Sequence, residues 1–238
     1  MCLDPTDTAR LTTTTTTAMT HISSPQNPRL KALKRLAARR ERARSGRFAV
    51  EGEDLIAAAR AAGRDAVEGF RVAGCGLGED GFHDVEEAVL RSVSTLGSGT
   101  RVIGVYEQRW GEPVGPLCVY LHGVADPGNV GTIVRSTHAF GAACVALGPG
   151  CADPHSPKAL RASMGAIFGV ALARVHDVAE LPGERVALSA AAPEVLRGRD
   201  GDGAGESTTL LVGAERAGLP PELIAACERS ARIPIASE

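Results

Sequence analysis

No apolar run in this sequence approaches the roughly 18 residues that a membrane-spanning helix needs, and the N-terminus lacks the apolar stretch of a secretion signal. Both absences predict a cytoplasmic protein with no membrane partner. Six cysteines are present (Cys2, Cys75, Cys118, Cys144, Cys151, Cys227), but no C-x-x-C pair. That excludes the cysteine-dense frameworks of small secreted domains and the close ligand pairs of zinc sites. Reduced, mostly buried thiols are expected instead. No cluster of histidine, cysteine and carboxylate suggests another metal. Phosphate-cradling glycine loops are missing too, since neither G-x-G-x-x-G nor G-x-x-x-x-G-K-[ST] occurs. Gly148-Pro149-Gly150 is no substitute, because proline removes a backbone donor and nothing downstream completes the pattern. A nucleotide-binding oxidoreductase is therefore disfavoured.

Charge is unevenly spread. From Arg29 to Arg47 nine basic residues (Arg29, Lys31, Lys34, Arg35, Arg39, Arg40, Arg42, Arg44, Arg47) face one acid, Glu41. The segment carries +8, which leaves −10 elsewhere to give the net −2. A basic segment on an acidic protein is the electrostatic footprint of a polyanion partner. The plainer alternative is a solvated helix face.

The 238 residues suffice for two modest domains. Residues 1–24, with the Thr12–Thr17 tract, read as a disordered leader. Asn27-Pro28 starts a helix with a capping side chain and a proline at its first position, and Ser45-Gly46 ends it. A short strand at Phe48–Val50, a helix at Glu53–Ala62, a strand at Ala66–Ala73, a helix at Asp84–Val93 and a strand at Arg101–Tyr106 make a small α/β unit over 25–108. Residues 109–116, rich in proline and glycine, form the linker. Beyond it, apolar strands at Leu117–Leu121, Cys144–Leu147, Val170–Arg174, Arg185–Ser189, Thr209–Gly213 and Arg232–Ile235 alternate with helices at Val130–Phe140, Ser156–Phe168 and Pro220–Ser230. That alternation predicts a parallel sheet covered on both faces over 117–238. Gly198–Glu206 is a polar loop.

Open parallel sheets bind ligands beyond the carboxyl ends of their strands. The first strand leads into Asp126-Pro127-Gly128-Asn129-Val130-Gly131-Thr132, with Asn129 where a helix cap belongs and Arg135 within two turns. Helix amides and an arginine suit a phosphate or a developing anion. The fifth strand exits into Leu211–Leu219, which holds Glu215 between Gly213 and Gly218. In the stretch Lys158–Gly165, Lys158, Arg161 and Ser163 have the chemistry to hold a phosphodiester. For each, an ordinary strand–turn–helix junction or charged helix start is the competing explanation.

Taken together these residues resemble the SpoU (TrmH-like) RNA methyltransferases. Asn129, Gly131, Arg135 and Phe140-Gly141 fit the family's first motif, Leu211–Leu219 its second, Arg161–Ala166 the element between them, and Arg232-Ile233-Pro234 the start of the third. The N-terminal unit is similar to the family's L30e-like substrate-binding domain, with Glu51-Gly52 in its usual place. The resemblance implies a SPOUT-type α/β domain with a trefoil knot, a homodimer, and methylation of a ribose 2′-hydroxyl in tRNA or rRNA. It implies S-adenosylmethionine held by loops at Ser189, Ala190, Gly213 and Ile233, with Asn129, Arg135 and Glu215 at the catalytic positions. Arg29, Lys31, Lys34, Arg35, Arg39, Arg40, Lys158, Arg161 and Ser163 are the RNA-binding candidates. The family's third motif continues into S-L-N and a closing helix, whereas this sequence stops at Ser237-Glu238. A fragment or a defective copy is expected on that ground, and an RNA-binding protein without catalysis is the alternative function.

Overall fold

The computed structural model describes residues 20–197 and 207–234. Among these, the strands sort into two sheets. The first contains β1 (His21–Ile22), β2 (Arg47–Glu51), β3 (Glu68–Val72), β4 (His83–Val85) and β5 (Val102–Glu107), in the order β1-β4-β3-β5-β2. β5 pairs antiparallel with β2 and β3, and the remaining pairs are parallel. Helices α1 (Pro28–Arg35), α2 (Arg39–Ser45), α3 (Glu53–Ala61) and α4 (Glu87–Val93) pack around it.

Three expectations fail in this region. Residues 20–24 are not all unstructured, because His21–Ile22 pairs with β4 and buries Ile22. The Thr12–Thr17 tract lies outside the described residues. The helix expected over Asp84–Val93 yields its start to β4, whose Asp84 pairs in register with Arg71 and forms an ion pair with it at 2.8 Å. Tertiary pairing overrides the local helical pattern there. The single basic helix is in fact two. Ala38 adopts an extended conformation (φ −86°, ψ 132°) between α1 and α2. The break frees the carbonyls of Leu36 and Ala37, and Arg42 Nη1 donates to both at 2.7 Å. A buried arginine thus satisfies carbonyls that a helix end leaves without partners. Gly46 closes α2 in the left-handed region (φ 66°), as expected of Ser45-Gly46.

The second sheet holds β6 (Leu117–Leu121), β7 (Cys144–Leu147), β8 (Ala171–Arg174), β9 (Glu184–Leu188), β10 (Glu194–Val195), β11 (Thr208–Val212) and β12 (Arg229–Arg232). Its order is β10-β12-β9-β11-β6-β7-β8, and every pairing is parallel. The chain runs outward from β6 through β7 to β8 and then crosses to the other side. The strand order therefore reverses between β6 and β11. Helices α5 (Pro127–Ala139), α6 (Pro157–Ser163) and α7 (Pro221–Ala225) connect these strands.

Here too some boundaries move. The helix expected over Ser156–Phe168 stops at Ser163, because Met164 and Gly165 are both left-handed (φ 50° and 87°), and Ala166–Phe168 is a separate 3₁₀ turn. α7 ends at Ala225, short of Ser230, since Arg229–Ala231 is already taken into the ladder with β9. The Gly198–Glu206 loop falls outside the described residues. Cys75, Cys118, Cys144, Cys151 and Cys227 are free thiols.

The two sheets share one apolar cluster. Phe48, Val50, Ile56 and Tyr106 from the first pack with Val124, Val134, Leu160 and Phe168 from the second. The Phe168 ring lies 6.0 Å from Phe48 and meets Tyr106 edge-on at 5.1 Å. A polar clamp reinforces it. Arg42, 3% exposed, reaches across from α2 and holds Asp153 Oδ2 through Nε and Nη2, each at 2.8 Å.

Candidate active site at the carboxyl edge of the parallel sheet

Because every strand of the second sheet points the same way, all its carboxyl ends open on one edge. The switch point between β6 and β11 is where an open α/β sheet makes a ligand crevice. The loop after β6 leads into α5, whose cap is Asp126 and not Asn129 as the sequence suggested. Asp126 accepts from the Asn129 amide at 3.1 Å, and Pro127 occupies the first turn. Asn129 sits in that first turn. Lys158 Nζ binds the other Asp126 oxygen at 2.6 Å, and this hydrogen bond, with the Asn129 amide, holds the carboxyl below its ordinary range. Gly131 has a different task. A Cβ there would collide with the Ala159 carbonyl, so glycine is what lets α5 and α6 pack closely.

The loop after β11 folds back on itself, with Ala214 and Gly218 exchanging backbone hydrogen bonds at 3.2 and 2.8 Å. Its tip presents Glu215, whose Oε1 accepts from Asn129 Nδ2. The first and second sequence motifs thus meet side chain to side chain across the switch point. Arg135 lies further along α5, exposed and with no carboxylate partner among the described residues.

On the far side of the switch point, β11, β9 and β12 are neighbours, so Gly213, Ser189, Ala190 and Ile233 come together at their ends. The Ser189 amide donates to the Ala231 carbonyl at 3.0 Å, and Ile233 leaves an apolar side chain 57% exposed there. Backbone polar groups beside exposed apolar surface fit an adenosyl group with an amino-acid tail.

Other candidates fare unevenly. Lys31, Lys34, Arg35, Arg39, Arg40 and Arg161 are solvent-exposed. Arg29 is paired with Glu68 at 2.7 Å and Lys158 with Asp126. Ser163 does not reach the surface. It is 1% exposed and donates to Leu160 O at 2.8 Å, closing the last turn of α6. Asp126 is the capping group that sequence reasoning missed, although Asp-Pro at a helix start is a recognisable cap signal.

The fold and this edge together define an RNA methyltransferase. The chain belongs to the SpoU rRNA methylase family, which matches residues 116–238, while residues 27–104 match the MRM3-like substrate binding domain. Among curated relatives, the 23S rRNA (guanosine(2553)-2′-O)-methyltransferase RlmP of Bacillus subtilis (strain 168) is 28% identical over 91% of both chains. An AdoMet-bound rRNA methyltransferase from Sinorhizobium meliloti superposes with a TM-score of 0.77 at 30% identity, covering 92% of this chain and 90% of that one. An RNA 2′-O ribose methyltransferase structure gives 0.69 at 26% identity over 92% and 91%. These relatives lend no support to a loss of catalysis.

Proposed function

We propose that this chain transfers a methyl group from S-adenosylmethionine to a ribose 2′-hydroxyl of RNA, with ribosomal RNA the substrate class to which its relatives' names point. The observation that carries the reading is the Asn129–Glu215 hydrogen bond at the switch point, between the donor-side and acceptor-side loops. When bound, S-adenosylmethionine supplies an electrophilic methyl group on a sulfonium. Gly213, Ser189, Ala190 and Ile233 hold it at the ends of β11, β9 and β12. Because Asn129 Nδ2 is engaged by Glu215, its Oδ1 is left to accept from the ribose hydroxyl and aim it in line with the methyl group. Arg135 is always protonated. It would bind the neighbouring phosphate and stabilise the charge that develops on the ribose oxygen as the hydroxyl proton passes to water, the O–CH3 bond forms and the S–CH3 bond breaks to leave the neutral thioether S-adenosylhomocysteine. Lys31, Lys34, Arg35, Arg39, Arg40 and Arg161 bind RNA phosphates, with Arg29 and Lys158 exchanging their present partners for them.

The wider organisation we propose follows the same reading. Residues 25–108 form the RNA-binding domain, 109–116 the linker and 117–238 the methyltransferase domain, whose strand crossing closes a trefoil knot. Phe140 at the end of α5, 84% exposed, favours an isologous homodimer contact. The free thiols fit a cytoplasmic setting.

The test is methylation of ribosomal RNA by the purified chain, followed by digestion and mass spectrometry. A methyl group on ribose is expected, and a base-methylated nucleoside overturns the reaction class. Arg135→Ala should cut turnover by at least about a hundredfold while donor affinity stays within a few-fold. Near-wild-type turnover in that variant removes Arg135 from the site.

A further inference from the structure

A second opening lies on the same edge, on the β7–β8 side of the switch point. It is a cleft of about 460 Å³, within the roughly 300–1,000 Å³ of small-ligand sites. One wall is Gly148-Pro149-Gly150 and the end of β8 at Arg174, and the other is Arg39 of α2, with Trp110 of the linker between them. The wall adjoins the acceptor loop directly. The Gly123 amide donates to the Pro149 carbonyl at 2.9 Å, and Gly150 (φ 76°) packs against the Gly123 backbone.

The chemistry of the cleft is specific. The Arg174 guanidinium lies over the Trp110 ring, 4.0 Å from its centroid, and His155 meets the ring edge-on at 5.3 Å. Trp110 is therefore held in a fixed plane, its Nε1 donating to Gln108 at 3.1 Å. Six of the twelve arginines in residues 25–108 are neutralised by carboxylates, namely Arg29, Arg42, Arg44, Arg71, Arg91 and Arg101. Arg39 and Arg174 have no carboxylate partner among the described residues, because Arg42 already occupies Asp153, the acid at this cleft. Two unneutralised guanidiniums beside a stacked tryptophan are what a single-stranded nucleotide requires. Its phosphate takes the charge, and its base stacks on the ring or on the guanidinium plane.

We infer that this cleft binds a nucleotide flanking the methylated one on the same RNA strand, through Arg39, Arg174 and Trp110. The inference rests on the RNA reading above and adds a subsite to it. Stacking and phosphate contact carry no base-edge readout, so the subsite holds the strand in place without selecting its sequence.

Trp110 is the single tryptophan of the chain, so the protein's tryptophan fluorescence comes from this one ring in the cleft wall. A short oligouridylate titrated into the full-length protein should quench or shift that emission saturably, in parallel with anisotropy of the labelled oligonucleotide. S-adenosylmethionine should leave the emission unchanged. The double variant R39Q/R174Q should bind the oligonucleotide about tenfold or more weakly, with a log–log salt slope shallower by about 1.4, from two lost phosphate contacts. Its donor affinity should match the wild type. Anisotropy showing bound RNA while Trp110 stays silent overturns the subsite. So do failure of the oligonucleotide to bind, quenching by the donor, and wild-type affinity in R39Q/R174Q. Absence of ribose methylation by the wild-type chain instead overturns the proposed reaction and leaves the RNA-dependent quenching standing.

Discussion

The two halves of the carboxyl edge are built from different materials. On the β12–β9–β11 side the strand ends offer backbone groups, small residues and the exposed Ile233. On the β7–β8 side they offer guanidiniums, a tryptophan and a glycine-proline loop. On the proposed reading, one sheet edge serves two ligands of opposite character, a compact adenosyl donor and a polyanion. The halves meet along the β6–β11 ladder and the His122 amide on the Val212 carbonyl at 2.9 Å, and the Asn129–Glu215 pair adds a side-chain link where the strand order turns. A fold that places every strand end on one side can divide its chemistry laterally, without a separate pocket in each domain.

That comparison can be broken at its supports. The largest effect is expected from Arg42→Ala, which leaves Asp153 without its cation and the Leu36 and Ala37 carbonyls without a donor. Breaking a buried pair of this kind costs about 3–5 kcal/mol, read as unfolding free energy in urea. At temperatures where the variant remains folded, donor affinity should be retained while RNA affinity falls. Equal losses on both sides would mean the halves are not independent.

Acid should act on the same support. Burial pushes His155 down from 6.5 to about 4, against the opposing pull of Asp153. The folded protein keeps the ring neutral, while the unfolded chain protonates it below about 6.5. Stability is therefore complete above that value and lost as pH falls towards 4, by on the order of 3 kcal/mol. Thermal unfolding between pH 7 and pH 5 should show the decline, and His155→Phe should flatten it. An unchanged slope in that variant assigns the acid sensitivity to other groups.

Smaller effects sharpen the comparison. Glu215→Gln keeps the size of the side chain but weakens its hold on Asn129, and turnover should drop about tenfold, near the lower end (~1.5 kcal/mol) of what a hydrogen bond to a charged group contributes, with both ligands binding as before. A shift in either Kd instead would place Glu215 within one half and not between them. Least affected should be a variant with Lys31, Arg35 and Arg40 changed to Gln, on the solvent side of α1 and α2. Its RNA salt slope should flatten by about 2, at ~0.7 per single-strand phosphate contact. No change would make that surface a solvated face.

Much of this was legible beforehand, and the exceptions have physical causes. The parallel strands were readable because both their faces are covered, so β6 and β7 appear as unbroken apolar runs. β1, β4 and β10, of two or three residues each, exist only through their partners and leave no periodic trace. Asn129 and Glu215 were visible as motif positions, yet their contact joins loops far apart in sequence. Counting charge located the basic segment correctly but could not tell Arg42, which points inward, from Arg40, which does not. Trp110 and Arg174 carried no signal at all, since neither is unusual until the sheet sets one over the other.

The aromatic stack of Phe48, Tyr106 and Phe168, with the Arg42–Asp153 clamp beside it, turns two domains into one rigid jig. With RNA held at α1 and α2 as proposed, the strand would be presented to the reacting edge at a set length, and the enzyme would work as a ruler. Choice of nucleotide then becomes a matter of distance along the strand. Retargeting such an enzyme requires reshaping a single joint, and the groups that carry out the reaction can be inherited unaltered.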